Sequence, residues 1–441
     1  MFKSIVNAFK TPALRKKILI TLLLIVIFRV GCYISIPFVD VINIIKPDVT
    51  TTSVEDLINI ISGGAFSRLS IFAMSITPYI TSSIIVQLLA MIITPLEKMT
   101  RDEGERGRKK IDRITKLITV LLASVEALGI YFSYRNQSIF VQEGVLTAFV
   151  VVVSLVAGSM LLVWVGDKIT SKGIGNGISL LIFSGIVSQL PSAVTTLYDR
   201  VMPDGQFSTS GLVTVILIVL GVLLLITGVV FVQLAERRIP VQYSKKVVGR
   251  KMMGAQNTHI PIKPAMANVM PIIFASSFMT FPAMVIELFV KDITNQTGFW
   301  KGVYNLSIAT YSSSTVSWPF TIANAIIYLL LIIGFTYFYT YATFNPAEVS
   351  NTIKQNGGFI PGIRAGKPTT DYLSSVLSKI TLFGAIFLAL LAILPMLARG
   401  TGFNTAFSGT SLLIIVGVAI ELGDQLQSQL VMRHYKGFLR K

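Results

Sequence analysis

The stretch IISGGAFSRLSIFAMSITPYITSSIIVQ, residues 60–87, decides the fold. A short apolar piece, Leu57 to Ile61, leads into it. That piece is too short to cross a bilayer, which takes roughly 20 residues. Ser62-Gly63-Gly64 then interrupts the pattern, and paired glycines are too costly inside a helix for the piece to run on. A second apolar run starts near Ser70, reaches about Pro95 and is long enough to span. It carries Pro78 and a series of Ser and Thr before Gln87, unusual for a helix facing only lipid. Pro78 removes one helix hydrogen bond and predicts a kink. A half-length piece joined to a polar-flecked span points to protein or water on one side, because broken backbone at membrane depth survives only there. On these residues alone, the plainer reading of a kinked packing helix behind a surface loop stands ahead of that one.

The rest of the chain sets the class. Of its 441 residues 53% are hydrophobic and only 13% charged, with mean hydropathy +0.71. Soluble domains carry about 25% charged residues, so this is a polytopic membrane protein. The single cysteine, Cys32, excludes an internal disulfide and a Cys-based metal cluster and reads as a small packing residue. The first apolar run has no small-residue cleavage site and runs into Arg29, so it is expected to be a retained span.

Ten apolar runs follow one another: about Ile18–Ile36, Ser70–Pro95, Leu117–Tyr134, Val145–Val165, Ile178–Leu197, Leu212–Ala235, Ala267–Val290, Trp318–Ala342, Val376–Leu397 and Gly409–Gln427. An even number puts both termini on one side. The two tails and the segments after spans 2, 4, 6 and 8 hold 30 of the 38 Lys and Arg, counting Lys379 just inside span 9. By the positive-inside rule these segments are cytoplasmic. Orientation therefore accounts for most of the net charge of +17, and the charge does not by itself require nucleic acid. Three cytoplasmic segments, Glu97 to Lys116, Glu236 to Lys263 and Phe344 to Asp371, exceed what a turn needs. The first is explained as a solvated topology determinant. In the second, Ile239-Pro240-Val241-Gln242-Tyr243 predicts a projecting hairpin whose tip suits an acidic partner such as RNA or a motor protein. The expected organisation is an N-terminal half, 1–205, and a C-terminal half, 206–441, the latter with large loops at 236–266 and 343–375. Five spans per half force the second half to insert upside down, and such pairs often enclose a path at their interface.

Chemistry-bearing motifs are scarce. There are two histidines, both in basic segments, and no HExxH, nucleophile elbow or P-loop. Gly173-Ile174-Gly175-Asn176-Gly177 follows a membrane run, not a strand, so it reads as a tight turn into span 5 and not as a dinucleotide loop. Arg29, Glu126, Glu421 and Asp424 are intramembrane or nearly so, and each costs about 2.5–3.5 kcal/mol at the bilayer centre on insertion scales. A coupled transporter of small solutes wants several such groups at mid-depth, and a membrane-embedded enzyme wants clustered His, Asp or Glu; these four are scattered.

The matching residues now run the length of the chain. Phe28-Arg29-Val30-Gly31, SGGAFSRLSIFAMSITPYI (62–80), DKITSKGIGNGISLLIF (167–183), ERRIPVQY (236–243), AQNTHIPIK (255–263), FASSFMTFP (274–282) and GGFIPGIRAGKPT (357–369) resemble, in order, the SecY family of protein-conducting channels. Two positions depart from it: Ser75 stands where the family usually has Gly, and Ala365 where it usually has Pro. The resemblance implies an all-α bundle of ten transmembrane helices in two inverted five-helix halves, with a plug half-helix. It implies a plug at Leu57, Ile60, Ile61, Ser62, Gly63, Gly64, Ala65 and Phe66. It implies a pore ring of Ile80, Ile84, Ile182, Ile186, Ile273 and Ile414. A gate opening sideways between spans 2–3 and 7–8 would include Thr81, Ser82, Gln87, Ser276, Ser277 and Phe281. Arg250, Lys251 and Arg364 would meet the ribosome or the SecA motor. The ring's chemistry is sound, since branched aliphatics offer ions no substitute for hydration and gate by dewetting. The resemblance further implies SecE and SecG as small subunits, signal peptides and nascent chains as cargo, and contact with membrane lipid. No DNA partner, cofactor, metal or covalent chemistry is implied. The expected location is the bacterial cytoplasmic membrane. An accessory translocase for specialised substrates is the nearest alternative.

Overall fold

Each apolar run folds as a helix or a helix pair, as the need to satisfy every backbone group in lipid demands. The computed structural model describes residues 9–39, 59, 62–101, 104–135, 140–141, 144–203, 207–243, 247–248, 251–252, 257–264, 266, 269–289, 298–309, 318–397 and 409–438. In chain order the helices are α1 (Pro12–Gly31), α2 (Thr77–Ile92), α3 (Thr94–Arg101), α4 (Gly104–Arg135), α5 (Val145–Lys172), α6 (Gly177–Val187), α7 (Leu190–Val201) and α8 (Thr209–Leu234). Strands β1 (Arg237–Tyr243), β2 (Val247–Val248), β3 (Lys251–Met252) and β4 (Asn257–Ile262) follow. Then come α9 (Met270–Phe289), α10 (Phe299–Ile308), α11 (Trp318–Thr343), α12 (Pro346–Gln355), β5 (Gly358–Phe359), α13 (Lys367–Leu397) and α14 (Gly409–Phe438). Among the described residues seven helical stretches are long and apolar enough to cross a membrane; Thr77–Ala90 and Met270–Ala283 are apolar but shorter.

The second span departs from expectation at its start. Residues 71–76 are turns, and the helix begins at Thr77. Pro78 therefore lies in the first turn, where its missing N–H costs nothing, and starts the helix instead of kinking it. Ser75 takes φ +51°, a left-handed conformation that costs most residues about 1–2 kcal/mol and explains why glycine suits the position. The turns are buried and their backbone is satisfied by protein: Ile71 N–H donates to Ile34 O, Ser75 N–H to Phe72 O, and Ser159 Oγ to Ser75 O at 3.1 Å. Gly158 lets α5 come this close, since a Cβ there would meet the Ile71 carbonyl oxygen at 2.0 Å. We expect Gly158→Ala to lower stability by about 1–3 kcal/mol, the usual cost of overpacking, read as a fall in the thermal midpoint in detergent. Gly221→Ala on α8, where a Cβ meets nothing within 4 Å, should leave the midpoint nearly unchanged.

Span 5 is broken into α6 and α7, with Pro191 in the first turn of the second piece. The Gly173–Gly177 turn leads into α6 as expected: Gly175 has φ +90°, and Asn176 caps the helix by accepting from Ile178 N–H at 3.1 Å. A Cβ on Gly177 would lie 1.9 Å from Gly166 O, so α5 and α6 meet backbone to backbone.

Two of the long basic segments form one folded unit. The expected hairpin is present: β1 pairs antiparallel with β4, Arg237 opposite Ile262 and Ile239 opposite Ile260. β5, from the next long segment, adds to the other edge of β1, Tyr243 opposite Gly358. Ile239, Val241 and Ile262 turn inward and share a core with Ile353 of α12, Ile360, and Leu373 and Leu377 of α13. This small sheet packs against the first turns of α13.

Candidate functional site

The site is built on α6. Ile182 and Ile186 lie four residues apart and so face the same way. Both are 3% exposed, and they join Ile80 and Ile84 of α2 and Ile414 of α14 in a single apolar cluster. Ile273 of α9 is half-buried and packs against the same cluster. Six isoleucines from four helices that are far apart in sequence thus belong to, or pack against, one apolar core. Helical contacts place α14 beside α6 and α9 beside α2.

On one side of the cluster lies a polar cavity of about 530 Å³, lined among others by Lys17, Tyr79, Asp167, Ile178, Glu421, Gln425 and Gln429. On the other side lies the segment around Gly63. A Cβ on Gly63 would fall 2.3 Å from Arg29 Nη1, 2.9 Å from Ser188 Oγ and 3.0 Å from Gly185 Cα. Gln189 Nε2 donates to Asn59 O at 3.4 Å. Along α6 the order is therefore cavity at Ile178, isoleucines at Ile182 and Ile186, and glycine-rich segment at Gly185 to Gln189. At 1.5 Å per residue the whole arrangement fits within about 17 Å of helix.

The residues of the expected plug that the structure describes are packed against the helices. Ser62 and Ala65 are fully buried, and Phe66 is buried between α4 and α5 with Tyr134 at 6.2 Å between ring centroids. Leu57, Ile60 and Ile61 lie outside the described residues. Gly63 at φ +67° belongs to the left-handed region, and Gly64 at φ +85° does too. Gly63→Ala should loosen this segment more than Gly64→Ala. Both pay the left-handed penalty, but the second Cβ finds only Gln189 Nε2 at 3.6 Å and Arg68 Nη1 at 4.0 Å. The measurement is resting ion flux through reconstituted vesicles, higher for Gly63→Ala.

The expected gate residues lie on α2 and α9, two helices that pack against each other. Thr81 and Ser82 spend their hydroxyls within α2, on Thr77 O at 3.1 Å and Pro78 O at 2.7 Å. Gln87 reaches further, donating to Ser83 Oγ at 2.8 Å and pairing with the Tyr339 hydroxyl of α11. Ser276 bonds Tyr328 of α11 at 2.8 Å, Ser277 O accepts from Thr280 Oγ1, and Phe281 is 43% exposed. Tyr339 also stacks edge-on with Phe274 at 5.2 Å. Neither tyrosine carries a sequence signal, because an aromatic in an apolar run reads as packing.

Among the predicted contact residues, Arg364 is exposed in the turn after β5, with Ala365 exposed beside it. Arg250 lies outside the described residues, and of Lys251 only the backbone, in β3, is described. Of the ionisable candidates, Glu421 lines the cavity, Asp424 reaches Lys263 at 3.7 Å, and Arg29 turns inward to the glycine-rich segment.

Comparison with known proteins gives one answer. The SecY family model matches residues 70–423. The chain is 40% identical over 456 residues to the protein translocase subunit SecY of Streptomyces scabiei, with 100% of both chains covered. It is 39% identical over 453 residues to that of Bacillus subtilis strain 168, again with 100% of both covered. Its fold matches a solved protein-conducting channel with a TM-score of 0.68, 20% identity, and 95% of this chain and 93% of that one covered. It matches Sec61 of the canine ribosome-channel complex from the endoplasmic reticulum with a TM-score of 0.63, 19% identity, and 95% and 93% covered. A family model over most of the chain and relatives 39–40% identical along its full length show that the chain belongs to the SecY family.

Proposed function

We propose that this chain is the channel subunit that passes unfolded secretory polypeptides across the cytoplasmic membrane and releases transmembrane segments sideways into lipid. The observation that carries the reading is the stacking along α6 of a polar cavity, a girdle of isoleucines and a docked glycine-rich plug. The cavity lies among the inner ends of α1, α5 and α14, so it opens toward the face that carries the basic segments. That face is cytoplasmic by the positive-inside rule. The girdle is the pore ring, formed by Ile80, Ile84, Ile182, Ile186, Ile273 and Ile414. An extended chain displaces such a ring without binding it, and hydrated ions meet no ligand there.

The halves 1–205 and 206–441 meet where α9 packs on α2 and α4, and again where α14 packs on α6. The first seam is the lateral gate, and the Gln87–Tyr339 pair joins α2 to α11 beside it. The long basic segments dock the source of energy, a translating ribosome or the SecA motor, and SecE and SecG complete the complex.

Depletion of this chain tests the reading. A pulse-labelled secretory reporter should accumulate as uncleaved precursor, and a single-span membrane protein should fail to integrate. Normal maturation of both, with loss of uptake of a small solute, would replace this reading with that of a transporter.

A further inference from the structure

The plug has a latch that no ring or gate residue supplies. Gly64 N–H reaches back five residues to Asn59 O at 2.9 Å, and Gly63 between them is left-handed at φ +67°. A left-handed glycine closes this backbone turn. The buried carbonyls beside it still need donors. Both come from α1. Arg29 Nη1 donates to Gly63 O at 3.2 Å, and one turn on, Cys32 Sγ donates to Ser62 O at 3.6 Å. From the other wall Gln189 holds Asn59 O. A cation in a membrane helix is costly, and its bond to a backbone carbonyl offsets part of that cost.

We propose that Arg29 is the positioning residue that holds the plug shut, acting as a charged donor to the Gly63 carbonyl. The inference rests on the channel reading above. The bond is to backbone, so it is indifferent to the plug's side chains, and it has to break before the segment can leave. Departure of the plug uncovers Cys32, which is fully buried in the closed state and is the only cysteine in the chain.

The test uses the full chain with its native cysteine, reconstituted in lipid vesicles and treated with a membrane-impermeant maleimide. Arg29→Gln should be labelled about tenfold faster than wild type, the change that 1.4 kcal/mol of opening free energy produces. Arg29→Lys, which keeps the charge, should stay within about threefold of wild type. Thermal midpoints of both variants in detergent should match wild type. Labelling of Arg29→Gln at the wild-type rate overturns the latch. Labelling of Arg29→Lys as fast as Arg29→Gln overturns it too, because charge is then not the agent. A midpoint that falls in step with the labelling rate assigns Arg29 to general packing and also overturns it. Import of a secretory precursor into the same vesicles, supplied with the motor and partner subunits, judges the channel reading separately. Its failure with wild-type chain removes that reading whatever the labelling rates show.

Discussion

Vesicles carrying the Ile84→Asn, Ile186→Asn double variant should leak ions at rest on the order of tenfold faster than wild type, since a barrier lowered by only about 1.4 kcal/mol suffices. The argument is one of solvation. The proposed pore ring presents branched aliphatic side chains that are 5% and 3% exposed at these two positions. A constriction of that kind sheds water, and an ion entering it loses hydration with nothing in return. Two amides supply donors and acceptors, hold water in the constriction and remove the barrier. The control is volume. Ile84→Leu with Ile186→Leu keeps the apolar lining at a typical cost under about 1.5 kcal/mol and should keep the seal. A tight double-Asn variant, present at normal level, would remove the ring from the account. The same variant should admit precursors with defective signal sequences, because a wetter waist lowers the threshold for opening.

The second large effect is expected at Arg364. Charge reversal, Arg364→Glu, should reduce export of a secreted reporter by about an order of magnitude while the chain still inserts and folds; one lost charge-assisted contact of 1.5–3 kcal/mol is enough. The residue sits in a turn pinned at both ends. Ile360 is buried in the core of the loop sheet, and Ile363 N–H closes back on Ile360 O. Thr369 Oγ1 donates to Arg364 O at 2.8 Å, and Ser350 Oγ to Gly366 O at 2.9 Å. Gly362 and Gly366 supply left-handed residues at φ +80° and +104°. The backbone is thus fixed and the side chain is left exposed, a geometry suited to contact with a partner. An exposed substitution of this sort changes stability by about 0.5 kcal/mol at most, so abundance should hold. Binding of motor or ribosome to membranes should weaken and lose part of its salt dependence. Unchanged export would exclude Arg364 from the docking surface.

Much of this was legible in the residues. Composition and the ten runs fixed a membrane bundle, and Ile239 to Tyr243 announced the hairpin. Motif order carried the family. What escaped was set by distance. Residues 71–76 are as apolar as the helix that follows, so hydropathy could not separate buried turns from span; the left-handed Ser75 and first-turn Pro78 did so only in three dimensions. The union of β1 with β5 joins residues more than a hundred positions apart, which no local pattern encodes. Arg29 was legible as a costly charge but not as a donor to Gly63, because its partner is a backbone carbonyl and leaves no trace in the side-chain sequence. The isoleucine pairs are indistinguishable by spacing from lipid-facing ones; the burial of both pairs in one cluster with Ile414 is the added fact.

The central claim is that a polypeptide in transit threads the isoleucine waist. In a Cys32→Ala background, single cysteines at Ile84 and Ile186 should crosslink to a stalled secretory chain bearing a cysteine in its midsection. A cysteine at Leu224, which is 67% exposed on the outer face of α8, should not. Crosslinks at Leu224 with none at Ile84 or Ile186 would contradict the account.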